Sequence, residues 1–278
     1  MSILGKIADI AASTLTSVAG LSSPSAWSVR VADRLASLTV SVSDDLEYRF
    51  SASSPLLLWR SRTVFQKEPE TISWIRTFTE EDVFFDVGAN VGIFTIYAGR
   101  RGARVLAFEP EATNYAILNR NIALNRLSDR VQALPIAIAD RFQIDSLHLA
   151  SNVPGSALHA FGANVDFKGD SFKPAFSQGC LAMSLDELVE RHELPQPTRI
   201  KIDVDGLERA VISGAMNVIK NPRLRDILIE INENDASDRA MITMLEQAGF
   251  LVIENGAPVA DEDGKFRMVN KILRRVAS

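Results

Sequence analysis

Residues 82–110 read DVFFDVGANVGIFTIYAGRRGARVLAFEP. An apolar strand in this segment runs into a loop that contains Gly88, Asn90 and Gly92, and a second apolar strand ends at Glu109. A strand, a glycine-containing loop, a short helix and another strand together predict a βαβ unit that binds a nucleotide or a nucleoside.

The two glycines of this loop allow a sharp turn and a close approach of the backbone to a ligand, because neither carries a Cβ. The helix that follows directs its free N–H groups towards the same point. Glu109 lies 21 residues after Gly88, a spacing that suits a carboxylate accepting hydrogen bonds from the two hydroxyls of a ribose.

The loop differs from the fingerprint that binds a pyrophosphate, which would place glycine at positions 90 and 93, where this chain has Asn90 and Ile93. A nucleoside without phosphates fits better, and Asp86 suits a cationic amine. S-adenosylmethionine combines an adenosine, an amine and a carboxylate without phosphate, and is the predicted cofactor. The predicted cofactor-binding residues of this segment are Asp86, Gly88, Asn90, Gly92, Glu109 and Pro110.

The composition is that of an ordinary globular protein, with 278 residues, 46% hydrophobic and 23% charged. The 30 basic and 35 acidic residues give a formal charge of −5, which does not favour a nucleic-acid partner. The single cysteine, Cys180, cannot form an internal disulfide, and no Cys/His cluster has metal-ligand spacing. We expect a cytoplasmic protein without a resident metal.

Residues 1–65 are expected to form an N-terminal extension of helical and irregular structure without assignable chemistry. The apolar start, residues 1–21, is interrupted by Lys6 and Asp9 and is too short for a membrane-spanning helix. A helix docked on the protein or on a second copy is favoured, which leaves an oligomer possible. Weak contact with a membrane surface is the alternative.

Two further positions are placed near the cofactor by their neighbours in sequence. A helix starting at Pro69 leads into the first strand, so Glu70 could lie near the ligand, although a solvated helix N-terminus is the competing interpretation. A third strand, over residues 131–139, places Ala137 and Ile138 where they could line the adenine. Burial in the strand core explains these two equally well.

Residues 141–179 show no persistent helical or strand period. Long irregular insertions in compact domains are usually functional or disordered. Because this one lies between the third and fourth strands, we expect it to cover the crevice as part of the acceptor site.

The remaining chain predicts four more strands, over residues 199–205, 226–231, 250–254 and 266–276. Helices separate them up to the sixth, and the last two strands are joined by a turn too short for a crossover, so the last is expected to be antiparallel. The predicted fold is α/β: a seven-stranded, mostly parallel sheet with helices on both faces.

Several segments resemble the class I S-adenosylmethionine-dependent methyltransferases, and more narrowly the FkbM family. They are FDVGANVGIFT (85–95), FEPEATNY (108–115), IKIDVDGLE (200–208), SGA (213–215), ILIEIN (227–232) and NKILRR (270–275). The resemblance covers residues 66–278, the predicted methyltransferase domain, and implies O-methylation of a sugar, glycan or secondary-metabolite hydroxyl. Asp205 departs from it, because the family more often has Glu there.

Methyl transfer to a hydroxyl benefits from a nearby base. Asp203, at the end of the fourth strand, is the first candidate; its alternative role is to bind the donor or cap a helix. His148 and His159, next to or within the insertion, are further candidates, although surface or packing roles are commoner for such histidines. Asp203 with Glu230 and Asn232 could offer oxygens to Mg²⁺, but hydrogen bonds to the acceptor or a neighbouring strand are favoured.

Two alternatives from other classes remain open on the sequence alone. A nicotinamide-dependent oxidoreductase would share the sheet and the ribose carboxylate, but the missing middle glycine and the antiparallel last strand argue against it. A non-catalytic binding protein on the same fold is harder to exclude, although every donor-side position named above carries a usable residue. The acceptor itself, a small molecule or a glycan, is not specified by the residues.

Overall fold

A computed structural model describes residues 26–164, 170–260 and 266–276. The chain begins there with a helix, a hairpin and two further helices: α1 (Ala26–Ala36), β1 (Thr39–Ser43), β2 (Glu47–Ser51), α2 (Pro55–Lys67) and α3 (Pro69–Ile75). The central part follows: β3 (Val83–Val87), α4 (Ile93–Arg100), β4 (Arg104–Phe108), α5 (Ala112–Leu124) and β5 (Val131–Leu134).

Four strands come next, before the chain returns to alternating helices and strands. The four are β6 (Ala137–Ile138), β7 (Gln143–Leu149), β8 (Ala160–Phe161) and β9 (Phe176–Met183). The last part comprises α6 (Leu185–Arg191), β10 (Arg199–Ile202), α7 (Glu208–Ser213), α8 (Met216–Lys220), β11 (Asp226–Asn232), α9 (Ala236–Gln247), β12 (Phe250–Asn255), β13 (Val259–Ala260) and β14 (Arg267–Arg275).

The main sheet has the strand order β12-β14-β11-β10-β3-β4-β5, with the short β13 paired to β14. Strand β14 is antiparallel to both of its long neighbours, and the pairs from β11 to β5 are parallel. The predicted α/β fold, with seven strands and an antiparallel last strand, is confirmed. The order reverses next to β3, so the carboxyl ends of β3, β4 and β10 open onto one crevice.

Each face of the main sheet is covered by its own hydrophobic core, as the alternation of strand side chains requires. On one face Ile200 and Ile202 of β10 pack with residues of α6 to α9. The other core contains Tyr48 and Phe50 of the hairpin together with Trp74 of α3. The N-terminal part therefore packs into the main fold, and the predicted boundary at residue 65 falls inside α2.

Strands β6 to β9 form a second sheet in the order β6-β9-β7-β8. The expectation of irregular structure throughout residues 141–179 is therefore wrong, because β7 and the first part of β9 lie inside that range. Their pairing joins residues as far apart in sequence as Gln143 and Ala182. Strand pairing over such a distance is not visible as a periodic pattern of hydrophobic residues in the local sequence. Leu147 and Leu149 of β7 are buried on the inner face.

The predicted strand over residues 131–139 is also two strands. Strand β5 ends at Leu134, immediately before Pro135, and β6 then pairs with β9 of the second sheet. The helical segment between β10 and β11 likewise consists of two helices, α7 and α8, separated at Gly214. A Cβ at Gly214 would collide with the backbone oxygen of Ala139.

Asparagines on α5 hold neighbouring segments. The Asn121 side chain accepts a hydrogen bond from the Ser51 backbone N–H at 2.8 Å and donates to the Val91 carbonyl at 2.7 Å. Asn125 accepts from the Arg49 N–H at 3.0 Å and donates to the carbonyl of the same residue at 2.6 Å. These bonds attach β2 to α5 and satisfy backbone groups that no strand pairs.

The described residues contain no helix that is both long enough and apolar enough to cross a membrane. The predicted helix at residues 1–21, with its alternative roles at a membrane surface or a second copy, lies outside the described residues.

Candidate functional site

A cavity of about 400 Å³ lies at the carboxyl edge of the main sheet. Its walls come from the loops after β3, β4 and β10, from β11 and β14, from α2 and α3, and from the second sheet. Six carboxylates and two cationic side chains line it: Glu68, Glu70, Glu109, Asp203, Asp205 and Glu230, with Arg60 and Lys67. A cavity of this size and polarity is suited to a small polar ligand.

The loop after β3 adopts the turn that its glycines predict. Gly88 and Gly92 both have φ of +82°, and Asn90 has φ of +51°. A Cβ at Gly88 would lie on the backbone oxygen of Asp203, and one at Gly92 would collide with Leu118. Gly88 and Asn90 line the cavity, whereas Gly92 lies behind it as the first residue of the α4 turn.

Glu109 fastens this loop to the end of β4. Its Oε2 accepts the Asn90 backbone N–H at 2.8 Å and its Oε1 accepts the Glu111 N–H at 2.8 Å. Burial raises the pKa of Glu109 to about 8, and the two backbone N–H bonds oppose that rise. Each carboxyl oxygen has a second lone pair for a ligand hydroxyl.

Asp86 lies behind the cavity and does not line it. Its side chain is buried, Thr95 donates a hydrogen bond to its Oδ2 at 2.5 Å, and burial raises its pKa. The other carboxyl oxygen, Oδ1, has no hydrogen-bond partner within the described part of the chain. The register of β3 and β10 places Asp86 beside Lys201, whose charge acts against the rise in pKa.

An apolar wall adjoins Glu109. Pro110, Ala137 and Ile138 all line the cavity, next to Leu147 and Phe161 of the second sheet. Ala137 and Leu147 belong to the core of that sheet, on which Phe161 packs. The second sheet thus lies at the Glu109 side of the cavity, which a flat aromatic ring could enter.

Residues 155–159, which we call the strap, contribute Ala157, Leu158 and His159 to the lining of the cavity. Arg60 Nε donates to the Gly155 carbonyl at 2.6 Å, and Asn90 Nδ2 donates to the Ser156 carbonyl at 2.8 Å. Asn114 bonds both of these strap residues, through the Gly155 N–H at 2.8 Å and the Ser156 carbonyl at 3.1 Å. The strap is therefore anchored to α2, the β3 loop and α5.

The loop after β10 holds the far end of the strap. Asp205, with φ of +55°, accepts the Leu158 N–H at 2.6 Å. Burial and the neighbouring Asp203 raise the pKa of Asp205 to about 6. Glu208 closes the same loop by accepting the N–H groups of Val204 and Gly206 at 3.1 and 3.0 Å.

The two candidate histidines differ in position. His148 does not line the cavity, and its ring nitrogens contact Ser177 Oγ at 2.8 Å and the Gly162 carbonyl at 3.3 Å. His159 does line the cavity. Its Nδ1 lies 3.4 Å from the Ala150 N–H, and its buried Nε2 has no hydrogen-bond partner within the described residues. Burial lowers the pKa of His159.

Asp203 is paired with a cation. The Lys201 ammonium, almost completely buried, donates to Asp203 Oδ2 at 2.6 Å, and this contact holds the pKa of Asp203 below its usual range despite burial. Glu230 lines the same side of the cavity from β11, and burial, with the charge of Asp203, raises its pKa to about 8. The two neighbouring carboxylates therefore differ sharply in basicity.

Glu70 and Glu68 enter the cavity from α3 and the residue before it. The Asn270 side-chain amide on β14 donates to Glu70 Oε1 at 2.9 Å and to Glu68 Oε2 at 3.3 Å. Glu70 is thus placed at the β14 side of the cavity, four strands from Glu109 in the sheet order.

Asn232 does not line the cavity, because its Oδ1 accepts the N–H groups of Asn234 and Arg267. In residues 26–164, 170–260 and 266–276, no group of three or more acidic, histidine or cysteine side chains is arranged to hold a metal ion.

Three cationic residues are missing from the sequence-based predictions: Arg60 and Lys67, which line the cavity, and Lys201, which is bonded to Asp203. Arg60 comes from outside the segments that carry the family resemblance, and only tertiary packing brings α2 over the cavity. Lys201 stands in the quoted stretch IKIDVDGLE, where a lysine between two isoleucines is the signal that was available. A lysine is rarely fully buried unless it is paired.

Comparison with known proteins matches residues 86–252 to the family described as "Methyltransferase FkbM domain". Two curated relatives are similar at modest identity. One is the 31-O-demethyl-FK506 methyltransferase FkbM of Streptomyces tacrolimicus, 26% identical over 200 residues, with 64% of this chain and 76% of the relative aligned. The other is the hexuronic acid methyltransferase AglP of Haloferax volcanii, 29% identical over 185 residues, with 66% and 70% aligned.

Among solved structures, the methyltransferase FkbM from Methylobacillus flagellatus is similar with a TM-score of 0.45 and 16% sequence identity. The match covers 70% of this chain and 44% of that one.

Proposed function

The chain belongs to the FkbM methyltransferase family, and from that membership we propose that it is an S-adenosylmethionine-dependent O-methyltransferase acting on a hydroxyl of a sugar, a glycan or a secondary metabolite. The observation that carries the proposal is the pairing of a fixed, buried carboxylate with an apolar slot on the same side of the cavity. Glu109 supplies the carboxylate, and Pro110, Ala137 and Ile138 supply the slot.

The residues present fit a nucleoside donor. Glu109 has free lone pairs for ribose hydroxyls, Gly88 leaves the backbone open at the loop, and Ala137 and Ile138 provide an apolar surface for adenine. The buried Nε2 of His159, without a partner among the described residues, is a further hydrogen-bonding atom for a ligand. Gly92 and Asp86 support this half from behind: one forms the α4 turn and the other holds Thr95 at its start.

The acceptor half is assigned to the opposite side, where Asp203, Glu230 and Asn270 line the cavity with Met268 and Val259. Hydrogen-bonding groups beside apolar surface suit a polyhydroxylated acceptor. Glu70 belongs to this half. The two curated relatives are named for an FK506 derivative and a hexuronic acid, and their names support a hydroxylated acceptor here.

The bound donor supplies an activated methyl group on a positively charged sulfur. The acceptor oxygen forms a bond to the methyl carbon, the electrons of the carbon–sulfur bond remain on sulfur, and the hydroxyl proton passes to a base. Alignment of the two reactants within one cavity can supply several kcal/mol. Asp203 and Glu230 are the carboxylates of the acceptor half that could receive the proton.

The donor assignment is tested by thermal unfolding with added ligands. S-adenosylhomocysteine at 100 times its Kd contributes about 2.7 kcal/mol, which raises the Tm of a domain of this size by roughly 5–10 °C. NAD at the same concentration is expected to leave the Tm unchanged. Stabilisation by NAD alone would support the oxidoreductase alternative, and no shift with either ligand at millimolar concentration would reject the donor assignment.

The acceptor class is tested with isotopically labelled methyl groups. S-adenosylmethionine with a labelled methyl is incubated with the protein and a panel of neutral methyl glycosides, uronosides and macrolide alcohols, and the products are analysed by mass spectrometry. We expect a mass increase of one labelled methylene on a hydroxyl oxygen. Labelling of a nitrogen or carbon atom would support methyltransferase activity but would reject the assignment of O-methylation.

A further inference from the structure

Asp203 and Glu230 are neighbours on adjacent strands. The parallel register pairs Ile202 of β10 with Ile229 of β11, so the residues that follow lie side by side. Strands in a sheet are about 4.8 Å apart. Both side chains line the cavity, and the sheet therefore presents two carboxylates together at the acceptor half.

The partners of the two carboxylates are unequal. The Lys201 ammonium is bonded to Asp203 at 2.6 Å. In the part of the chain that the structure describes, no hydrogen bond or ion pair reaches the Glu230 carboxylate. The amide of Asn270, opposite Glu230 on β14, is already bonded to Glu68 and Glu70. The Lys201 ammonium is thus the cation next to both carboxylates, but it is bonded only to Asp203.

The charged groups facing Glu230 come from two directions. From β10 and the residues after it come Lys201, Asp203, Asp205 and Glu208. Across the cavity, α2 and α3 and the residue between them bring Arg60, Lys67, Glu68 and Glu70.

Negative charge prevails around Glu230. Its pKa is raised to about 8 by burial first and by the charge of Asp203 next. Two carboxylates this close resist simultaneous ionisation, and the one without the ammonium retains the proton. Strand β14 adds no charge at this point, since Met268 and Asn270 are neutral.

We propose that Glu230 is the base of the reaction, protonated in the ligand-free protein and deprotonated when a donor with a positively charged sulfur occupies the same cavity. This inference rests on the proposed function. Glu230 then accepts the acceptor's hydroxyl proton as the oxygen–methyl bond forms and the methyl–sulfur bond breaks. Asp203 is a positioning residue, which acts by fixing Lys201 and by keeping Glu230 basic.

The coupling follows from the charge of the ligand. A positive charge that enters the same partly buried cavity as a carboxylate favours the ionised form of that carboxylate. S-adenosylmethionine carries that charge on sulfur, whereas S-adenosylhomocysteine, its demethylated product, does not. Binding of the two ligands should therefore release different numbers of protons. The ligands otherwise share their adenosine, amine and carboxylate, so those contacts largely cancel in the comparison.

The test is isothermal titration calorimetry at pH 8 in buffers of different ionisation enthalpy, which gives the number of protons released per ligand bound. A carboxyl group with a pKa of about 8 is half protonated at pH 8. We expect S-adenosylmethionine to release about 0.5 proton more than S-adenosylhomocysteine from the unmodified protein. Glu230→Gln should abolish this difference while both ligands still bind.

The matched control is Glu70→Gln, which removes one negative charge from the same half of the cavity and should preserve the difference. Persistence of the difference in E230Q, or its absence from the unmodified protein, overturns the assignment of Glu230 and leaves the donor assignment intact. If neither ligand binds the unmodified protein, both proposals fail.

A second measurement needs no substitution. The infrared difference spectrum of the unmodified protein should show loss of a protonated carboxylic acid on binding S-adenosylmethionine but not on binding S-adenosylhomocysteine. Equal spectra for the two ligands overturn the assignment even if E230Q does not fold.

Discussion

At the amino edge of the main sheet, the carboxylates of Asp82 and Asp226 are bonded to three arginines. At the carboxyl edge, Asp203 and Glu230 have one lysine beside them, and it is bonded only to Asp203. Both pairs are held by the same sheet. Both carboxylates of the first pair have cationic partners, whereas in the second pair only Asp203 has one.

The amino-end cluster is centred on Arg199, which contacts both aspartates and is itself 8% exposed. Arg274 adds two hydrogen bonds to Asp226 at 2.8 and 3.0 Å, and the Trp74 indole N–H adds another at 3.0 Å. Pairing of this kind offsets the cost of burying these charges, so that removing one partner is costly, and the paired groups have no role in binding a ligand. At the carboxyl edge, by contrast, the charged groups line the cavity and are available to a ligand.

The largest expected effect comes from breaking the amino-end cluster. Arg199→Met removes a buried cation from between two buried carboxylates, and we expect a loss of about 4 kcal/mol in the free energy of unfolding. Urea unfolding measures it. The control is Arg225→Met, since Arg225 bonds Asp82 from a half-exposed position and should cost about 1 kcal/mol or less. Equal losses would show that the cluster is not centred on Arg199.

Gly88→Ala tests the crowding at the cavity end. The new Cβ would meet the Asp203 carbonyl at a residue whose φ is +82°, so we expect a loss of about 3 kcal/mol. Binding of S-adenosylhomocysteine should be lost with it. Gly179→Ala is the matched control, because among the described residues no atom beyond its chain neighbours lies within 4 Å of its Cβ position. The stability of this variant should change by about 0.5 kcal/mol or less. Unchanged binding in Gly88→Ala would contradict the loop's placement at the donor.

The dependence of stability on pH should distinguish the two ends. The carboxyl-end groups Glu109, Glu230, Glu208 and Asp205 have pKa values of about 8, 8, 7 and 6, all above those of an unfolded chain. The folded state therefore binds more protons than the unfolded state, and the stability that these groups contribute is present at low pH and lost as the pH rises towards 8.

Glu230→Gln should remove one of these contributions. Between pH 6 and 8 the stability of the ligand-free variant should fall less steeply than that of the unmodified protein, by about 1 kcal/mol per pH unit. Urea unfolding at pH 6, 7 and 8 gives the slopes. Parallel curves for the two proteins would mean that Glu230 is already ionised at pH 6.

The smallest expected effect concerns Asp205, whose role is to hold the strap. Asparagine tolerates a positive φ, retains an oxygen for the Leu158 N–H and buries no charge, so Asp205→Asn should be at least as stable as the unmodified protein at pH 8. Asp205→Ala also removes the charge but loses the bond, and should be about 1.5 kcal/mol less stable than Asp205→Asn. Thermal unfolding at pH 8 compares the two. A loss in Asp205→Asn as large as that in Asp205→Ala would show that charge, not geometry, holds the strap.

Much of the main sheet could be predicted because its signals are local. The apolar strands, the Gly88 loop and the acid at Glu109 follow one another within 30 residues, and the turn geometry needs only the residues that form it. The second sheet could not be predicted in this way, because β7 and β9 are half-exposed strands whose partners lie about 30 to 40 residues apart.

The parts of the candidate site that depend on backbone geometry, such as the loop after β3, were predictable from the sequence. The protonation of its carboxylates, which depends on the charges around them, was not. Asp203 and Glu230 read alike in sequence, as acids on neighbouring strands. Their difference arises from Lys201, which reaches only one of them, and from the burial that α2 and α3 impose. Asp86 shows the same limit, since the residue before the loop points behind the cavity and not into it.

The hairpin of β1 and β2 packs against the main sheet, so we expect the first part of the chain to fold together with the rest as one unit. A fragment starting at residue 66 would lose Tyr48 and Phe50 from a core of the main sheet and would remove the β2 partners of the Asn121 and Asn125 amides. We expect such a fragment to aggregate when expressed alone and a protease to cut the intact protein rarely between β2 and α3. The portion of the chain that resembles its family is thus shorter than the portion that must be synthesised for it to fold.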